Sequence, residues 1–254
     1  MISANLLNPQ SVKEISTALT SRSPVGYYVI DNFIDSTIYE KIEKEFREQD
    51  SRYTLVDKRE NIFMGNKTLL LGTPNFLELY DFFLWEEFHT FLKKIYAKES
   101  KKAKQITPQW VKENYGISGK WVAQIYEYWD FMEWHTDLSK DLLRAEAIRE
   151  WWYKKWCEIQ IENYDEVGAF IYYVYNSAED WHETMGWVLE IGKLEWDEIL
   201  PYEKVLPIRN RLVLIKSSNQ SYHRVTPIVS KDAYRVSIQD LVINENASLW
   251  EERL

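Results

Sequence analysis

The feature that most constrains the fold is a series of short β-type segments in the second half of the chain. They are rich in β-branched and aromatic residues, and turn residues separate them at intervals of about ten residues. The predicted strands are Trp121–Tyr128, Gly168–Asn176, Trp187–Ile191, Leu212–Lys216, Tyr222–Val229 and Tyr234–Val242. Many short strands at this spacing predict a β-sandwich or jelly roll.

The first half of the chain has a different pattern, in which helical segments surround one strand. Apolar residues at helical spacing predict helices at 12–19, after the capping pair Asp35-Ser36, and at 76–96, and residues 25–30 read as a strand. A further helical pattern, at about 138–165, interrupts the β-rich half. We therefore expect a single domain over 1–254, with supporting helices and strands in 1–120, a mainly β core in 121–242 and a helical insertion.

Composition excludes several classes of protein. The formal charge of −9 disfavours nucleic acid and anionic lipid as partners. No run of apolar residues has the length of about 18 that a membrane span needs, and the first residues lack the basic segment and apolar core of a signal peptide. The single cysteine, Cys157, excludes an intrachain disulfide and a thiolate-rich metal site. We expect a soluble, cytoplasmic protein; the lysine-rich run at 93–104 is either a basic patch or the solvated end of a helix.

Two of the four histidines lie beside residues that suit metal binding. His135 and Asp137 are two positions apart, so on an extended segment both side chains would lie on one face. His223 follows on another predicted strand. Two imidazoles and one carboxylate on a face make the facial triad that holds iron(II) in non-haem oxygenases and leaves coordination positions open. The alternative is that these are hydrogen-bonded core histidines.

Arg235 and Ser237 form a second pair at strand spacing, a short distance after His223. A guanidinium with a neighbouring hydroxyl can bind a carboxylate through two parallel charge-assisted hydrogen bonds and a third donor. We expect an antiparallel strand that follows His223 to bring Arg235 near the metal. The metal and the carboxylate site are therefore predicted on adjacent strands.

These motifs together resemble the iron(II)/2-oxoglutarate-dependent dioxygenases, in particular the branch that resembles prolyl 4-hydroxylases. The resemblance covers about 121–242, and the segment YVIDNFI at 28–34 also resembles the start of the family's domain. The segments that carry it are QIYEYWDFMEWHTD at 124–137, FIYYVYN at 170–176, Trp181, MGWVL at 185–189, LPIRNRLVLI at 206–215, HRVTPI at 223–228 and YRVS at 234–237.

The resemblance implies a mainly β fold with α elements, built on a double-stranded β-helix (jelly-roll) core. It also implies that 2-oxoglutarate chelates the Fe(II) with O2 as the other substrate, and that Arg235 and Ser237 hold the far carboxylate. Tyr126 would be a further donor to the cosubstrate, or else a buried strand tyrosine. Where the family commonly has Gly-Gly, this chain has Met185-Gly186. Aromatic residues of the insertion, Trp151 to Trp156, would form a substrate lid or pack on the barrel.

The implied function is hydroxylation of an unactivated C–H bond. Related halogenases have a small residue in place of the carboxylate ligand, and this chain has Asp137. Desaturation and cyclisation use the same ligands and stay open. The substrate is a small polar metabolite such as a free amino acid, or alternatively a protein or peptide side chain. A non-catalytic jelly-roll binding module is a third interpretation, and the oligomeric state is not predicted.

Replacement of Asp137 by alanine tests the triad directly. We expect Asp137→Ala to abolish hydroxylation, because the metal loses one of its three protein ligands. Product formation and bound iron are measured together on the variant and the wild type. Turnover equal to that of the wild type would remove Asp137 from the metal site.

Overall fold

The computed structural model describes ten stretches of the chain. They are residues 2–21, 25–48, 58–61, 64–70, 86–96, 103–105, 122–136, 164–178, 180–218 and 220–245. The helical insertion predicted at 138–165 and its aromatic residues fall almost entirely outside these stretches, as do Asp137 and Cys157.

Three α-helices lie in the described part of the N-terminal half: α1 (Pro9–Ser21), α2 (Ser36–Glu48) and α3 (Glu86–Ile95). Polar side chains cap two of their N-termini. The Asn8 Oδ1 atom accepts from the Ser11 N–H at 2.9 Å, and the Asp35 Oδ1 atom accepts from the Thr37 N–H at 3.0 Å. Within the described residues, no helix combines the length and apolar character needed to cross a membrane.

Twelve strands are found in the same stretches. They are β1 (Tyr27–Ile30), β2 (Lys58–Asn61), β3 (Met64–Leu70), β4 (Ala103–Gln105), β5 (Val122–Tyr126), β6 (Met132–His135), β7 (Tyr164–Asn176), β8 (Leu189–Glu195), β9 (Glu198–Val205), β10 (Arg211–Lys216), β11 (Tyr222–Val225) and β12 (Arg235–Glu245).

These strands form two antiparallel sheets. The large sheet has the order β1-β10-β7-β12-β5-β3-β2, and β4 also pairs with β12. The small sheet has the order β6-β11-β8-β9. Because consecutive strands such as β5 and β6, or β11 and β12, belong to different sheets, the chain passes repeatedly between two layers, as in a jelly roll.

Two apolar cores hold these layers together. One lies between the large sheet and the helices and includes Phe33, Phe88 and Phe170, all 0% exposed. The other lies between the two sheets, where Tyr126 and Tyr173 of the large sheet meet Leu189 and Ile191 of the small sheet. The large sheet is therefore covered on both faces, and the space between the sheets is the interior of the sandwich.

The mainly β class and the jelly-roll architecture predicted from the sequence are confirmed, but several strand boundaries differ. The strand predicted at 187–191 begins at Leu189, because Gly186 and Trp187 have positive φ angles of 81° and 57°. The strand predicted at 168–176 begins four residues earlier, at Tyr164, where it pairs with the end of β12 at Glu245. The last two residues of the predicted insertion therefore belong to β7.

Strand β9 was not predicted, and its sequence shows why. It is the edge strand of the small sheet, and most of its side chains are exposed, so it lacks the apolar alternation of a half-buried strand. Pro201, which cannot donate to a sheet, is compatible with this edge position. Opposite it, the pairing between β8 and β9 shifts register between Ile191 and Gly192.

A buried asparagine, Asn210, fastens the segment before α2 to the large sheet. It is 4% exposed and has a φ of 56°. Its amide exchanges two hydrogen bonds with the backbone of Ile34, both of 2.8 Å, and its Oδ1 atom accepts from the Tyr172 hydroxyl at 3.1 Å. The side chain therefore satisfies polar groups that would otherwise be buried without partners.

We expect Asn210→Ala to lower the free energy of unfolding by roughly 4 kcal/mol, from three lost hydrogen bonds and the strain of alanine at positive φ. Asn32→Ala is the matched control, because Asn32 is exposed and also has a positive φ, of 51°. The control should cost only about 1 kcal/mol. Equal losses for the two variants in urea unfolding would show that the hydrogen bonds of Asn210 do not contribute.

Candidate functional site

Two of the predicted metal ligands, His135 and His223, face each other across neighbouring strands of the small sheet. They are direct partners in the β6–β11 ladder, and their ring centroids are 4.2 Å apart. Directly opposed residues of an antiparallel pair project from the same face. The structure thus brings two imidazoles from distant parts of the sequence to one point.

A register shift in this ladder decides which way His135 points. His223 pairs with His135, but Val225 pairs with Met132, so β6 has one residue more than β11 between these pairs. Such a bulge places residues an odd number apart on the same face. His135 therefore shares the face of Met132, which packs between the two sheets.

Backbone hydrogen bonds fix the tautomer of both histidines. The His135 Nδ1 atom lies 2.7 Å from the Glu133 carbonyl oxygen, and the His223 Nδ1 atom lies 3.1 Å from that of Ser221. A carbonyl oxygen can only accept, so both Nδ1 atoms carry the proton. In the neutral ring the lone pair is then on Nε2, which is the form that binds a metal, with Nδ1 held by an outer hydrogen bond.

The opposite face of the small sheet carries a brace that holds the strands of the two histidines. The Arg224 guanidinium carbon lies 4.7 Å from the centre of the Trp134 ring. The same side chain bonds Glu190, which is 6% exposed, at 2.6 Å. These three residues come from β6, β11 and β8, so the stack resists sliding of the strands that carry the imidazoles.

The third predicted ligand, Asp137, lies outside the described residues. The description of this segment stops at Thr136, which is 3% exposed. Among the described residues, no group of three or more histidine, cysteine, aspartate or glutamate side chains is arranged to hold a metal ion. The carboxylate of the facial triad therefore stays a prediction.

The other histidine with a described side chain stands apart from this pair. His182 is exposed, and its Nδ1 atom lies 2.7 Å from the Thr184 hydroxyl.

Arg235 and Ser237, the predicted carboxylate site, lie on β12 in the large sheet. Their exposed fractions are 1% and 0%. Arg235 pairs directly with Tyr126 of β5, and Ser237 pairs with Gln124 of the same strand. The predicted donor Tyr126 is therefore the cross-strand neighbour of Arg235, and its hydroxyl accepts from the Gln239 Nε2 atom at 3.3 Å.

The prediction that the metal and the carboxylate site lie on adjacent strands is wrong. His223 is on β11 of the small sheet, whereas Arg235 is on β12, between β5 and β7 of the large sheet. The chain between β11 and β12 crosses from one sheet to the other instead of forming a hairpin. On this crossing, Ile228 forms isolated β-bridges with Tyr128 and Gly186. The two groups therefore approach the interior from opposite sheets.

Three aromatic rings surround the Arg235 guanidinium. Its central carbon lies 3.2 Å from the centre of the Trp187 ring, 4.6 Å from that of Tyr173 and 4.8 Å from that of Tyr126. Contacts of a cation with aromatic faces offset part of the cost of removing the charge from water. They do not use the N–H groups, which lie in the plane of the guanidinium.

Hydrogen-bond donors around Arg235 lack partners among the described residues. All three guanidinium nitrogens are in this state, together with Ser237 Oγ, Tyr173 Oη and Trp187 Nε1. Burial lowers the pKa of Arg235 from its ordinary value to about 10, so it remains protonated at neutral pH. Burial also raises the pKa of Tyr173, although the charge of Arg235 opposes this shift, and the phenol keeps its proton.

This cluster of donors fits an anion. Buried donors are nearly always hydrogen-bonded, and an unpaired buried cation is costly. A carboxylate offers about four acceptor positions and can bind a guanidinium through two parallel bonds. The residues present are therefore those that one end of a dicarboxylate such as 2-oxoglutarate requires.

Trp187 is the site residue that sequence reasoning missed. Its backbone is in the left-handed region, with φ 57°, which costs a residue other than glycine about 1–2 kcal/mol. It follows Gly186, where an added Cβ atom would lie 1.9 Å from the Pro227 carbonyl oxygen. The departure from Gly-Gly noted in the sequence was the only signal at this turn, and it did not indicate that an indole would lie on Arg235.

Comparisons with known proteins give similarity at the level of the fold. No family model matches the chain. No curated protein matches it either.

Among solved structures, a prolyl-4-hydroxylase from Pseudomonas putida superposes with a TM-score of 0.52 at 13% identity, over 90% of this chain and 97% of that chain. A Trichoplax adhaerens prolyl hydroxylase, in complex with a peptide fragment of the hypoxia inducible factor oxygen degradation domain, gives 0.52 at 13% identity, over 92% and 91%. The non-heme alpha ketoglutarate dependent epimerase SnoN from nogalamycin biosynthesis gives 0.55 at 10% identity, over 94% and 84%. The chain thus has the fold of 2-oxoglutarate- and Fe(II)-dependent oxygenases, which confirms the expected resemblance as one of fold.

The stability of the unliganded protein should report the unpaired charge of Arg235. The lowered pKa corresponds to a penalty of about 3 kcal/mol, and the aromatic contacts offset part of it. We expect Arg235→Met to raise the free energy of unfolding by about 2 kcal/mol at pH 7. Because the folded protein releases this proton near pH 10, before the unfolded chain does, the gain should stay constant from pH 7 to 9 and shrink above about pH 10.

Arg211→Met is the matched control for this measurement. Arg211 bonds the carboxylate of Asp31 and the Leu206 carbonyl oxygen, so its replacement should lower stability. Urea unfolding of the wild type and the two variants gives the sign of the change in the free energy of unfolding for each replacement. A loss of stability in Arg235→Met as large as that in Arg211→Met would show that Arg235 already has a partner in the unliganded protein.

Proposed function

We propose that the protein is an Fe(II)- and 2-oxoglutarate-dependent oxygenase that hydroxylates an unactivated C–H bond. The observation that carries this proposal is the buried donor cluster around Arg235, which lacks an acceptor among the described residues and lies in the same interior as two tautomer-fixed histidines. An isolated cation of this kind requires an anionic ligand. The shared fold with 2-oxoglutarate-dependent oxygenases supports the choice of ligand.

In this proposal each residue has a distinct task. His135, Asp137 and His223 hold the metal, and Arg235 with Ser237 binds and orients the far carboxylate of 2-oxoglutarate. Tyr126 stacks near the guanidinium and adds a phenol to the wall of the pocket. When bound, iron and 2-oxoglutarate supply the activation of oxygen for C–H oxidation.

The protein itself positions the bound groups and excludes water from them. Tyr126, Tyr173 and Trp187 are at most 1% exposed, so the carboxylate would bind in a medium where charge-assisted bonds are stronger than in water. The Nδ1 bonds and the outer brace hold the two neighbouring imidazoles in fixed orientations. Orientation of this kind, without acid–base groups, is what a cofactor-based oxidation requires.

For the substrate we propose a small polar metabolite such as a free amino acid, and Asp137 favours hydroxylation over halogenation. The alternative is a peptide or protein side chain, for which a specific observation exists. One structure of the same fold holds a peptide fragment of the hypoxia inducible factor oxygen degradation domain. The fold also includes an epimerase from nogalamycin biosynthesis, so it is compatible with both classes.

The test measures the release of succinate. We expect the purified protein with Fe(II), 2-oxoglutarate and O2 to release succinate slowly without substrate, and faster with the right substrate from a screen of amino acids and peptides. Mass spectrometry of the product should show a gain of one oxygen atom. A peptide hit with no response to free amino acids would select the alternative substrate class.

Variants connect this activity to the site. His223→Ala should abolish iron binding and succinate release, whereas His182→Ala, a change at an exposed histidine, should leave both unchanged. Arg235→Met should retain iron and lose 2-oxoglutarate binding by at least about 100-fold. Absence of metal binding by the wild-type protein would exclude the enzyme and favour a non-catalytic binding module.

A further inference from the structure

In the function proposed above Trp187 only excludes water, yet it lies at the centre of the donor cluster. It is 0% exposed, and its ring packs against both the Arg235 guanidinium and the Tyr126 ring. The distance from its centroid is 3.2 Å to the guanidinium carbon and 4.0 Å to the Tyr126 ring centroid. The rings of Tyr173 and Tyr126 lie farther from this carbon, at 4.6 and 4.8 Å.

The indole N–H of Trp187 differs from that of a nearby core tryptophan. Trp181, also buried, donates from Nε1 to the Gly186 carbonyl oxygen at 2.9 Å. The Trp187 Nε1 atom is buried and has no partner among the described residues. Tryptophan N–H groups usually find an acceptor when they are buried. The one at 187 belongs to the same unsatisfied set as Arg235 and Ser237.

The backbone at this position also distinguishes it from an ordinary core residue. Trp187 has a φ of 57°, in a region that favours glycine, and it follows Gly186 with a φ of 81°. The backbone holds the residue there, since the main-chain N–H of Trp187 donates to the carbonyl oxygens of Thr226 and Pro227 at 3.2 and 3.3 Å. Strained conformations persist where the surroundings determine them, and they concentrate at binding sites.

Face-on stacking leaves the donors of both groups available. The contact uses the π face of the indole, while the N–H bonds of an indole and of a guanidinium lie in the planes of the groups. A stacked guanidinium has lost its freedom to rotate, so less entropy is lost when it binds a ligand. One carboxylate has enough acceptor positions for Arg235, Ser237 and a further donor.

We propose that Trp187 is a cosubstrate-positioning residue, whose ring fixes the plane of the Arg235 guanidinium and whose Nε1–H donates to the carboxylate that Arg235 binds. This inference rests on the proposed function, since it takes a dicarboxylate as the ligand. Trp187 would then determine selectivity among 2-oxo acids. It would favour acids with a second carboxylate and would have no effect on binding of the 2-oxo end, which binds the metal.

Two ligands and two variants test this. Calorimetric titration of the protein loaded with Zn(II), which binds the same ligand types without redox chemistry, gives the Kd of 2-oxoglutarate and of 2-oxobutyrate, which lacks the far carboxylate. Trp187→Phe keeps a ring and removes the N–H. Trp187→Gly removes the ring and suits the backbone angle. Trp196→Phe, at a residue 97% exposed, is the matched control.

We expect Trp187→Phe to weaken 2-oxoglutarate binding by about tenfold, the typical effect of one hydrogen bond to a charged group. Trp187→Gly should weaken it by about 100-fold, because the guanidinium also loses its stacking partner. The Kd of 2-oxobutyrate should stay within about twofold in every protein, and Trp196→Phe should bind both acids like the wild type. The phenylalanine variant keeps the test valid if the glycine variant does not fold.

Three results would overturn the inference. They are unchanged 2-oxoglutarate binding in Trp187→Phe, tighter binding in either variant, which would mean that the indole blocks the site, and equal weakening for both acids, which would mean a general structural role. A wild-type protein that binds zinc but not 2-oxoglutarate would instead contradict the proposed function itself.

Discussion

The candidate site is built around one guanidinium that is buried between two β-sheets. Arg235 is 1% exposed and has no hydrogen-bonding partner for its three nitrogens among the described residues, so the charge is tolerated by aromatic contact alone. Burying a cation without a paired anion costs several kcal/mol, which is a large fraction of the stability of a domain. An anionic ligand would remove this cost by supplying hydrogen-bond acceptors. The neighbouring donors of Ser237, Tyr173 and Trp187 also lack an acceptor among the described residues.

The two sheets carry different groups of the candidate site. The small sheet carries His135 and His223 on paired strands, and the brace of Trp134, Arg224 and Glu190 stiffens it from outside. The large sheet carries Arg235 and is covered on its other face by helices. The separation of the two histidines from Arg235 is thus set by the packing of the core between the sheets rather than by a hairpin. Close-packed cores deform little, so this separation is well defined.

Much of this could be anticipated from residue types. The histidines at 135 and 223 and the arginine at 235 were selected by chemistry and spacing, and the jelly roll by the series of short strands. Strand β9 could not be predicted, since its exposed side chains and Pro201 reflect an edge position that exists only in the assembled sheet. The role of Trp187 was equally hidden, because no local pattern shows which ring will lie on which cation.

The sequence by itself determined which groups are available: two imidazoles, a carboxylate at 137, a guanidinium and a hydroxyl at strand spacing, and a β-rich chain to carry them. Only the tertiary structure decided where they lie. It placed Arg235 on the sheet opposite His223, and a bulge in β6 turned His135 to the face of Met132. Side-chain alternation is a local property that the sequence carries, whereas strand order, register and burial depend on contacts between distant residues, which minimise the free energy of the whole core.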